Sequence, residues 1–139
     1  MRNYYLFIVK TEFYETYLSN SLSLYKTLEN LYYFSNKNLR FGLTLYTQLC
    51  EMHKIETLEG YFKDKKYPKE KEYYKLFSSN NDEKTYIKVR PSVIEIKTNK
   101  NVPNIFKVFH YYNSKIFICD FKRGDYFWLQ NHYRRKLSI

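Results

Sequence analysis

The spacing of apolar positions changes along the chain, from helical repeats in the first half to alternation typical of strands in the second. At the N-terminus, residues 4–9 form a compact aromatic and β-branched run that predicts one strand. Thr11 is expected to N-cap a short helix directly after it. On that helix Phe13 and Tyr17 are four residues apart, so two large rings project from one side of it.

A second apolar stripe of the same short helix consists of Tyr14 and Leu18. It lies about 100° around the helix axis from the first stripe and can cover the core instead. A helix this short cannot bury both stripes. We therefore expect one of them to remain available to a partner.

Two longer helices are predicted in the rest of the first half. Ser21 can cap a helix to about Phe34, in which leucines recur with four-then-three spacing. A third helix is predicted from about Leu39 to His53, with an apolar stripe wide enough to be largely enclosed. Residues 54–66 fit a helical period but end in a run of charges.

The next segment contains both a further helix and the change to strand alternation. Pro68 is expected to start a helix that continues to Phe77. From Lys84 onward the pattern predicts strands, with residues 90–92 as a hairpin connection. Another helix is expected after Pro103.

The last part of the chain predicts a second hairpin and a tail. Residues 115–121 form a strand pattern, residues 122–125 a tight turn and residues 126–129 the returning strand. The basic segment 132–139 is expected to be a mobile tail. Together the patterns predict an α+β fold: a small, mostly antiparallel sheet of the N-terminal strand and C-terminal hairpins, packed with helices from the first half and one late helix.

Length and cysteine content limit the setting of the protein. The 139 residues are expected to form one domain, 1–139, large enough for a hydrophobic core. No apolar run approaches the length of a membrane span, and no signal peptide is evident, so a cytoplasmic protein without membrane contact is expected. Cys50 and Cys119 have no metal-binding or redox spacing and are expected to be buried thiols.

Charge and aromatic content have to be judged against codon usage. The chain has a net charge of +10, 17 tyrosines, 11 phenylalanines and no alanine, a composition typical of an AT-rich genome. Bulk basicity alone is therefore weak support for nucleic-acid binding. The distribution is more informative, because residues 1–62 carry no net charge and residues 63–139 carry the whole excess. A neutral, aromatic first half suits a protein-binding surface.

Sites for chemistry are poorly supported, and we expect no enzymatic activity, cofactor or metal. Glu95 and Lys97 have the E-x-K spacing of metal-dependent nucleases, with Asp82 as a further ligand, but alternating strands produce this spacing often. The three histidines lack zinc-binding spacing. An Arg-Gly-Asp tripeptide at residues 123–125 is expected to be a hairpin turn, where glycine supplies a positive φ.

Nucleic-acid binding is the main alternative function. Basic residues alternate with aromatic ones at residues 86–90 and 107–115. Such segments can stack on bases and neutralise phosphates, so a basic single-stranded nucleic-acid-binding protein remains open through the second half of the chain. The nuclease with Glu95 and Lys97 is the weaker alternative.

Several short segments resemble a known family. The opening Tyr4-Tyr5, the apolar run after it, Glu12-Phe13 and Tyr17 resemble the start of SirA, the sporulation inhibitor of replication of Gram-positive bacteria. Residues 93–96 and the closing segment 120–129 are similar to later strands of that family. The resemblance covers most of the chain in order, apart from about residues 54–80, although a proline that usually follows near the end is missing.

The resemblance implies a single α/β-type domain that binds domain I of the replication initiator DnaA and restrains chromosome replication. It implies a contact surface built from the turn after the first strand and a neighbouring helix, with Phe13 and Tyr17 at aromatic contact positions. The neighbouring helix of that surface, which corresponds to part of the helix predicted from about Leu39 to His53, would contribute the following residues: Tyr46, Thr47, Gln48, Cys50 and Glu51. We accordingly expect a monomeric, DnaA-binding inhibitor.

Overall fold

The aromatic run at the N-terminus forms the central strand of an antiparallel sheet. The structure is a computed structural model that describes residues 1–37 and 46–137. The strands of the sheet are β1 Arg2–Val9, β2 Cys50–Glu51, β3 Lys69–Glu70, β4 Tyr73–Ser78, β5 Glu83–Val89, β6 Ile94–Thr98, β7 Ile116–Asp120 and β8 Asp125–Trp128. The helices are α1 Thr11–Leu18, α2 Ser21–Lys37, α3 Ile55–Asp64, α4 Ile105–Tyr112 and α5 Leu129–Leu137, and residues 46–49 are also helical.

The order of strands in the sheet is β3-β4-β5-β6-β1-β7-β8, and every pair is antiparallel. β1 lies between β6 and β7, so the start of the chain joins the two C-terminal hairpins. The short β2 pairs with the end of β1, with Val9 opposite Cys50. The arrangement confirms the predicted α+β fold with a mostly antiparallel sheet.

Side chains alternate along β1 and point into two separate core layers. Tyr4, Leu6 and Ile8 lie in the first core layer, which α3, α4 and α5 cover. Phe7 and Val9 lie in the second core layer. Because both faces of β1 are enclosed, its side chains from Leu6 to Val9 are almost completely buried, in agreement with an uninterrupted apolar run.

The second core layer covers only part of its face of the sheet. It contains side chains of β1, β7 and β8, together with Leu24 and Leu28 of α2 and residues of segment 46–50. The described helices α1 and α2 therefore pack on the β1, β7 and β8 part of that face. The β4, β5 and β6 part of the same face contributes no side chain to this core layer.

The helix predicted after Pro68 is wrong. The segment forms β3 and β4 instead, with Tyr74 opposite Ile87 of β5 and the side chain of Leu76 buried. The apolar residues of 73–77 fit a strand as well as a helix, and pairing with β5 selects the strand. Lys71, with a φ of 58°, makes the turn between the two strands.

The predicted helix from Leu39 to His53 is also corrected where the structure describes it. Residues 46–49 are helical, but Cys50 and Glu51 form β2 because they pair with the end of β1. Residues 38–45 lie outside the described part of the chain. The helices predicted after the first strand, from Ser21 and after Pro103 are confirmed as α1, α2 and α4. Lys10 rather than Thr11 stands at the N-cap of α1 and makes no capping side-chain bond.

Most of the segment expected to be a mobile tail is helical. Leu129 begins α5, which continues to Leu137, and residues 138–139 lie outside the described part. The hairpin before it is confirmed: Gly124 has a φ of 71° in the turn, and the Asp125 carboxylate accepts a hydrogen bond from Arg2. No helix in the described ranges has both the length and the apolar character needed to cross a membrane.

Candidate functional site

α1 is the most exposed of the helices around the second core layer, and none of its residues is buried. The Phe13 ring is 36% exposed, and Leu18 at the other end of the helix is exposed to a similar extent. At 100° per residue these two side chains lie on opposite borders of the inward stripe. Phe13 is therefore a partly exposed aromatic ring at the start of α1 that belongs to neither core layer.

Tyr14 and Tyr17 form the inward stripe of α1. The Tyr14 ring packs edge-on against Trp128 at 5.0 Å, and its hydroxyl donates a hydrogen bond to Gln130 at 3.2 Å. Tyr17 is half-buried against the second core layer. The expected division of stripes is therefore corrected: the inward pair is spaced i, i+3, and of the pair Phe13 and Tyr17 only Phe13 is exposed, at the border of the inward stripe.

The structure brings segment 46–51 beside the start of α1, although more than 30 residues separate them in the chain. The Lys10 backbone N–H donates to the Leu49 carbonyl at 3.0 Å, and Val9 is opposite Cys50 in the β1–β2 pair. The Phe13 N–H donates back to the Lys10 carbonyl at 3.0 Å. These bonds hold the first turn of α1 and segment 46–51 in one rigid arrangement.

Within segment 46–51, two of the expected contact residues face the core. Tyr46 is 3% exposed and stacks on Phe7 with ring centroids 5.7 Å apart. Cys50 is buried, and this burial raises the pKa of its thiol to about 12, so the thiol stays protonated at neutral pH. Gln48 and Glu51 are exposed and Thr47 is half-buried.

We define the α1 site as Phe13 and Tyr17 of α1 together with Thr47, Gln48 and Glu51. It offers an apolar ring, a tyrosine edge, a hydroxyl, an amide and a carboxylate on a pre-formed backbone. Such a combination suits contact with another protein, in which a ring enters an apolar pocket and polar groups surround it. Tyr46 and Cys50 support the site from below and are not part of its surface.

The residues considered for metal-dependent cleavage are not brought together. Glu95 is opposite Lys88 of β5, whereas Asp82 precedes the start of that strand. Six residues of extended chain separate Lys88 from Asp82, roughly 20 Å. Carboxylates that share one metal ion each lie about 2 Å from it, so Asp82 and Glu95 cannot be ligands of one ion in this fold.

Histidine and other candidate ligands give no metal centre in the described ranges, where no group of three or more His, Cys, Asp or Glu side chains could hold an ion. His53 is buried, and its Nε2 lies 2.9 Å from the Leu6 carbonyl oxygen. A carbonyl can only accept, so Nε2 carries the proton. Burial lowers the pKa of His53 to about 4, which keeps the ring neutral at pH 7.

The two basic and aromatic segments of the second half lie on opposite sides of the molecule. Tyr86 lies on the face of β5 that contributes to neither core layer, whereas Lys107 and Tyr111 are exposed on α4, which covers the first core layer. The sequence analysis missed Tyr73 and Phe77 as neighbours of Tyr86, because it placed them in a helix. Residues 73–77 have no clean apolar–polar alternation that could have indicated a strand, and their alternation of burial arises only when β4 pairs with β5.

Comparison with known protein families and curated proteins does not indicate a function, so a function has to be argued from the residues of the site. No protein-family model matches the chain, and no curated protein matches it.

Proposed function

We propose that the protein is a non-enzymatic inhibitor of DNA replication initiation that binds domain I of DnaA through the α1 site, in the cytoplasm and without a cofactor. The observation that carries this proposal is the exposed Phe13 ring on a helix that the fold holds rigidly from behind. The sequence resemblance supplies the identity of the partner. The geometry supports it because the backbone just before α1 is bonded to segment 46–51, with the Lys10 N–H donating to the Leu49 carbonyl and Val9 opposite Cys50.

The proposed mechanism is occlusion. The Phe13 ring enters an apolar site on domain I, and Gln48 and Glu51 contact its polar rim. Domain I then cannot make the contacts it needs for assembly of the initiator. No bond is formed or broken, so the protein acts in proportion to the fraction of DnaA that it occupies.

Rigid backing makes the α1 site suited to tight contact. Tyr14 is held between Trp128 and Gln130, and the start of α1 is bonded to Leu49, so little backbone has to become ordered on binding. Ordering costs of this kind are a main reason why buried area does not translate directly into affinity. A single central ring can then carry a large share of the binding free energy.

The test is calorimetric titration of isolated DnaA domain I with the full chain and with Phe13→Ala. The substitution should weaken binding by about 1–3 kcal/mol, a loss of about 5- to 150-fold in affinity, because it removes a central ring. Phe13→Ala should leave the midpoint of thermal unfolding nearly unchanged, since the ring is not part of a core layer. Tyr17→Ala should weaken binding and also lower this midpoint, because Tyr17 packs on the second core layer.

Tyr111→Ala is the matched control, because Tyr111 is an exposed ring on α4, 87% accessible and on the other side of the sheet. It should bind domain I like the unmodified chain. Equal affinity of Phe13→Ala and Tyr111→Ala would refute the α1 site. Absence of any binding by the folded, unmodified chain would refute DnaA domain I as the partner.

A further inference from the structure

A large part of one sheet face has no covering helix in the described part of the chain. β4, β5 and β6 pack one face on the first core layer through Tyr74, Leu76, Ile87, Ile94 and Ile96. Their other face carries the alternate side chains and contributes nothing to the second core layer. We call this the open sheet face and define it by its outward residues: Tyr73, Lys75, Phe77, Lys84, Tyr86, Lys88, Glu95 and Lys97.

Strand register arranges these residues in rows across the sheet. Lys75, Tyr86 and Lys97 lie opposite one another on three adjacent strands. Phe77 is opposite Lys84 in the next row, so rings and lysines are neighbours throughout the face. An apolar partner that covered this face would bury its lysines without counter-charges, which is costly. The pattern therefore does not suit packing against an apolar partner.

Phe77 is the exposed ring of the open sheet face, Tyr73 and Tyr86 are half-buried, and two lysine ammonium groups lie close to the Tyr73 ring. Phe77 is 53% exposed and packs edge-on against Tyr86 with centroids 5.4 Å apart. The Tyr73 ring has the Lys97 ammonium 5.1 Å and the Lys88 ammonium 5.6 Å from its centroid. From Tyr73 to Phe77 the rings extend over about 13 Å of strand, with Tyr86 on the neighbouring strand.

The charge of this face is positive, and its ion pairs are weak. Lys75 pairs with Glu70, and Lys88 with Glu72 at 2.6 Å; both glutamates are more than 60% exposed. The Lys75–Glu70 pair is solvent-exposed and contributes little free energy, so a phosphate can replace Glu70, whereas the Lys88 side chain is only 14% exposed and offers a phosphate less access. Among the described residues, no carboxylate lies within 4.0 Å of the ammonium groups of Lys84 or Lys97.

A groove continues from the open sheet face past the end of β5. Its volume is about 620 Å³, and its lining combines the basic residues Lys69, Lys71, Lys88 and Arg90 with the acidic residues Glu59, Glu72 and Glu95. The groove therefore adds only a small excess of positive charge, and the attraction for a polyanion comes mainly from the lysines of the face.

We propose that the open sheet face binds single-stranded DNA, with bases stacked on Tyr73, Tyr86 and Phe77 and phosphates neutralised by the lysines between them. Accessible flat rings alternating with ammonium groups match the alternation of base and phosphate in a single strand. A duplex offers the phosphates but keeps its base faces stacked. Among the outward residues that define the face, Glu95 is the one carboxylate and lies 3.9 Å from Arg90, so the side chains between the rings are mainly cations suited to phosphates.

The first test measures fluorescence anisotropy of a labelled oligo(dT) of about twelve nucleotides with the full chain. Tyr73→Leu, which keeps apolar bulk but removes the ring, and Phe77→Ala should each weaken binding about tenfold, whereas Tyr73→Phe should retain it. Tyr111→Ala is the control and should bind normally. Equal affinity of Tyr73→Leu, Tyr73→Phe and Tyr111→Ala would overturn stacking on this face.

The second test uses salt and does not depend on aromatic substitutions. Four lysines on the face predict a slope of about −3 for the logarithm of affinity against that of salt concentration, and Lys84→Gln with Lys97→Gln should reduce it by about 1.4. An unchanged slope would overturn the proposal. Equal or tighter binding of the matched duplex, of poly-glutamate or of oligo(rU) would likewise overturn the assignment to single-stranded DNA.

The open sheet face and the α1 site share no residue, so the two proposals fail separately. Loss of DnaA binding in Phe13→Ala with normal oligo(dT) binding supports the α1 site without bearing on the sheet. Loss of oligo(dT) binding in Phe77→Ala supports the sheet without bearing on DnaA.

Discussion

His53 gives the sharpest prediction for stability, because its ring is buried with only one of two nitrogens bonded. Nε2 donates to the Leu6 carbonyl, and Nδ1 has no hydrogen-bond partner in the part of the chain that the structure describes. Protonation of Nδ1 would create a buried N–H and a buried charge without a partner. The folded state therefore resists protonation, and burial lowers the pKa of His53 from 6.5 to about 4.

The sign of the resulting pH dependence follows from proton counting. Between about pH 6.5 and pH 4 the unfolded chain binds a proton at residue 53 and the folded chain does not. The free energy of unfolding therefore rises with pH across this window and is independent of His53 above it. At about 1.36 kcal/mol per pKa unit, the full effect is about 3 kcal/mol, of which about 2 kcal/mol is reached on acidification to about pH 5.

The measurement is urea unfolding of the unmodified chain and of His53→Gln between about pH 8 and pH 5. Glutamine has no titratable group and can still donate to the Leu6 carbonyl. The difference in unfolding free energy between the two chains should shift by about 2 kcal/mol across this range in favour of His53→Gln at low pH. Parallel pH curves would refute the reasoning and mean that water reaches the ring in the folded state.

Two further predictions concern buried polar groups. Glu83→Ala should lower the free energy of unfolding by about 1–3 kcal/mol in urea titrations, because the buried Glu83 carboxylate accepts a hydrogen bond from the Asn104 N–H at 3.1 Å, just before α4. Glu72→Ala, at an exposed glutamate, is the control, and equal effects of the two substitutions would contradict the prediction. Cys50 and Cys119 should not react with an aromatic disulfide reagent in the folded chain, and both should react when the chain unfolds, because both thiols are buried and have raised pKa values. Rapid reaction of either thiol in the native state would disprove this.

Local patterns were sufficient wherever one period dominated a segment. The N-terminal run could only be a strand of a few residues, and the leucines of α2 recur at helical spacing, so both elements follow from neighbouring residues. The hairpin turn at Gly124 follows from a single residue that adopts positive φ easily. The neutral charge of the first half was equally visible, because it needs only the order of residues.

Where the local pattern was compatible with both a helix and a strand, pairing with a distant segment selected the secondary structure. Residues 73–77 were predicted as a helix and became β4 because β5 supplies the pairing. Cys50 left the predicted helix because the end of β1 was available to it. In both cases the free energy comes from contacts that lie outside the local window.

For the α1 site, the sequence by itself determined that a short helix follows the first strand and that it has more rings than its core-facing side can bury. Only the tertiary structure decided which ring remains outside. Trp128 and Gln130 hold Tyr14 and thereby set the rotation of α1 about its axis, which leaves Phe13 exposed at the border of the inward stripe and Tyr17 half-buried. Contacts more than 100 residues apart set this rotation, whereas helical periodicity specifies only the angles between side chains of one helix.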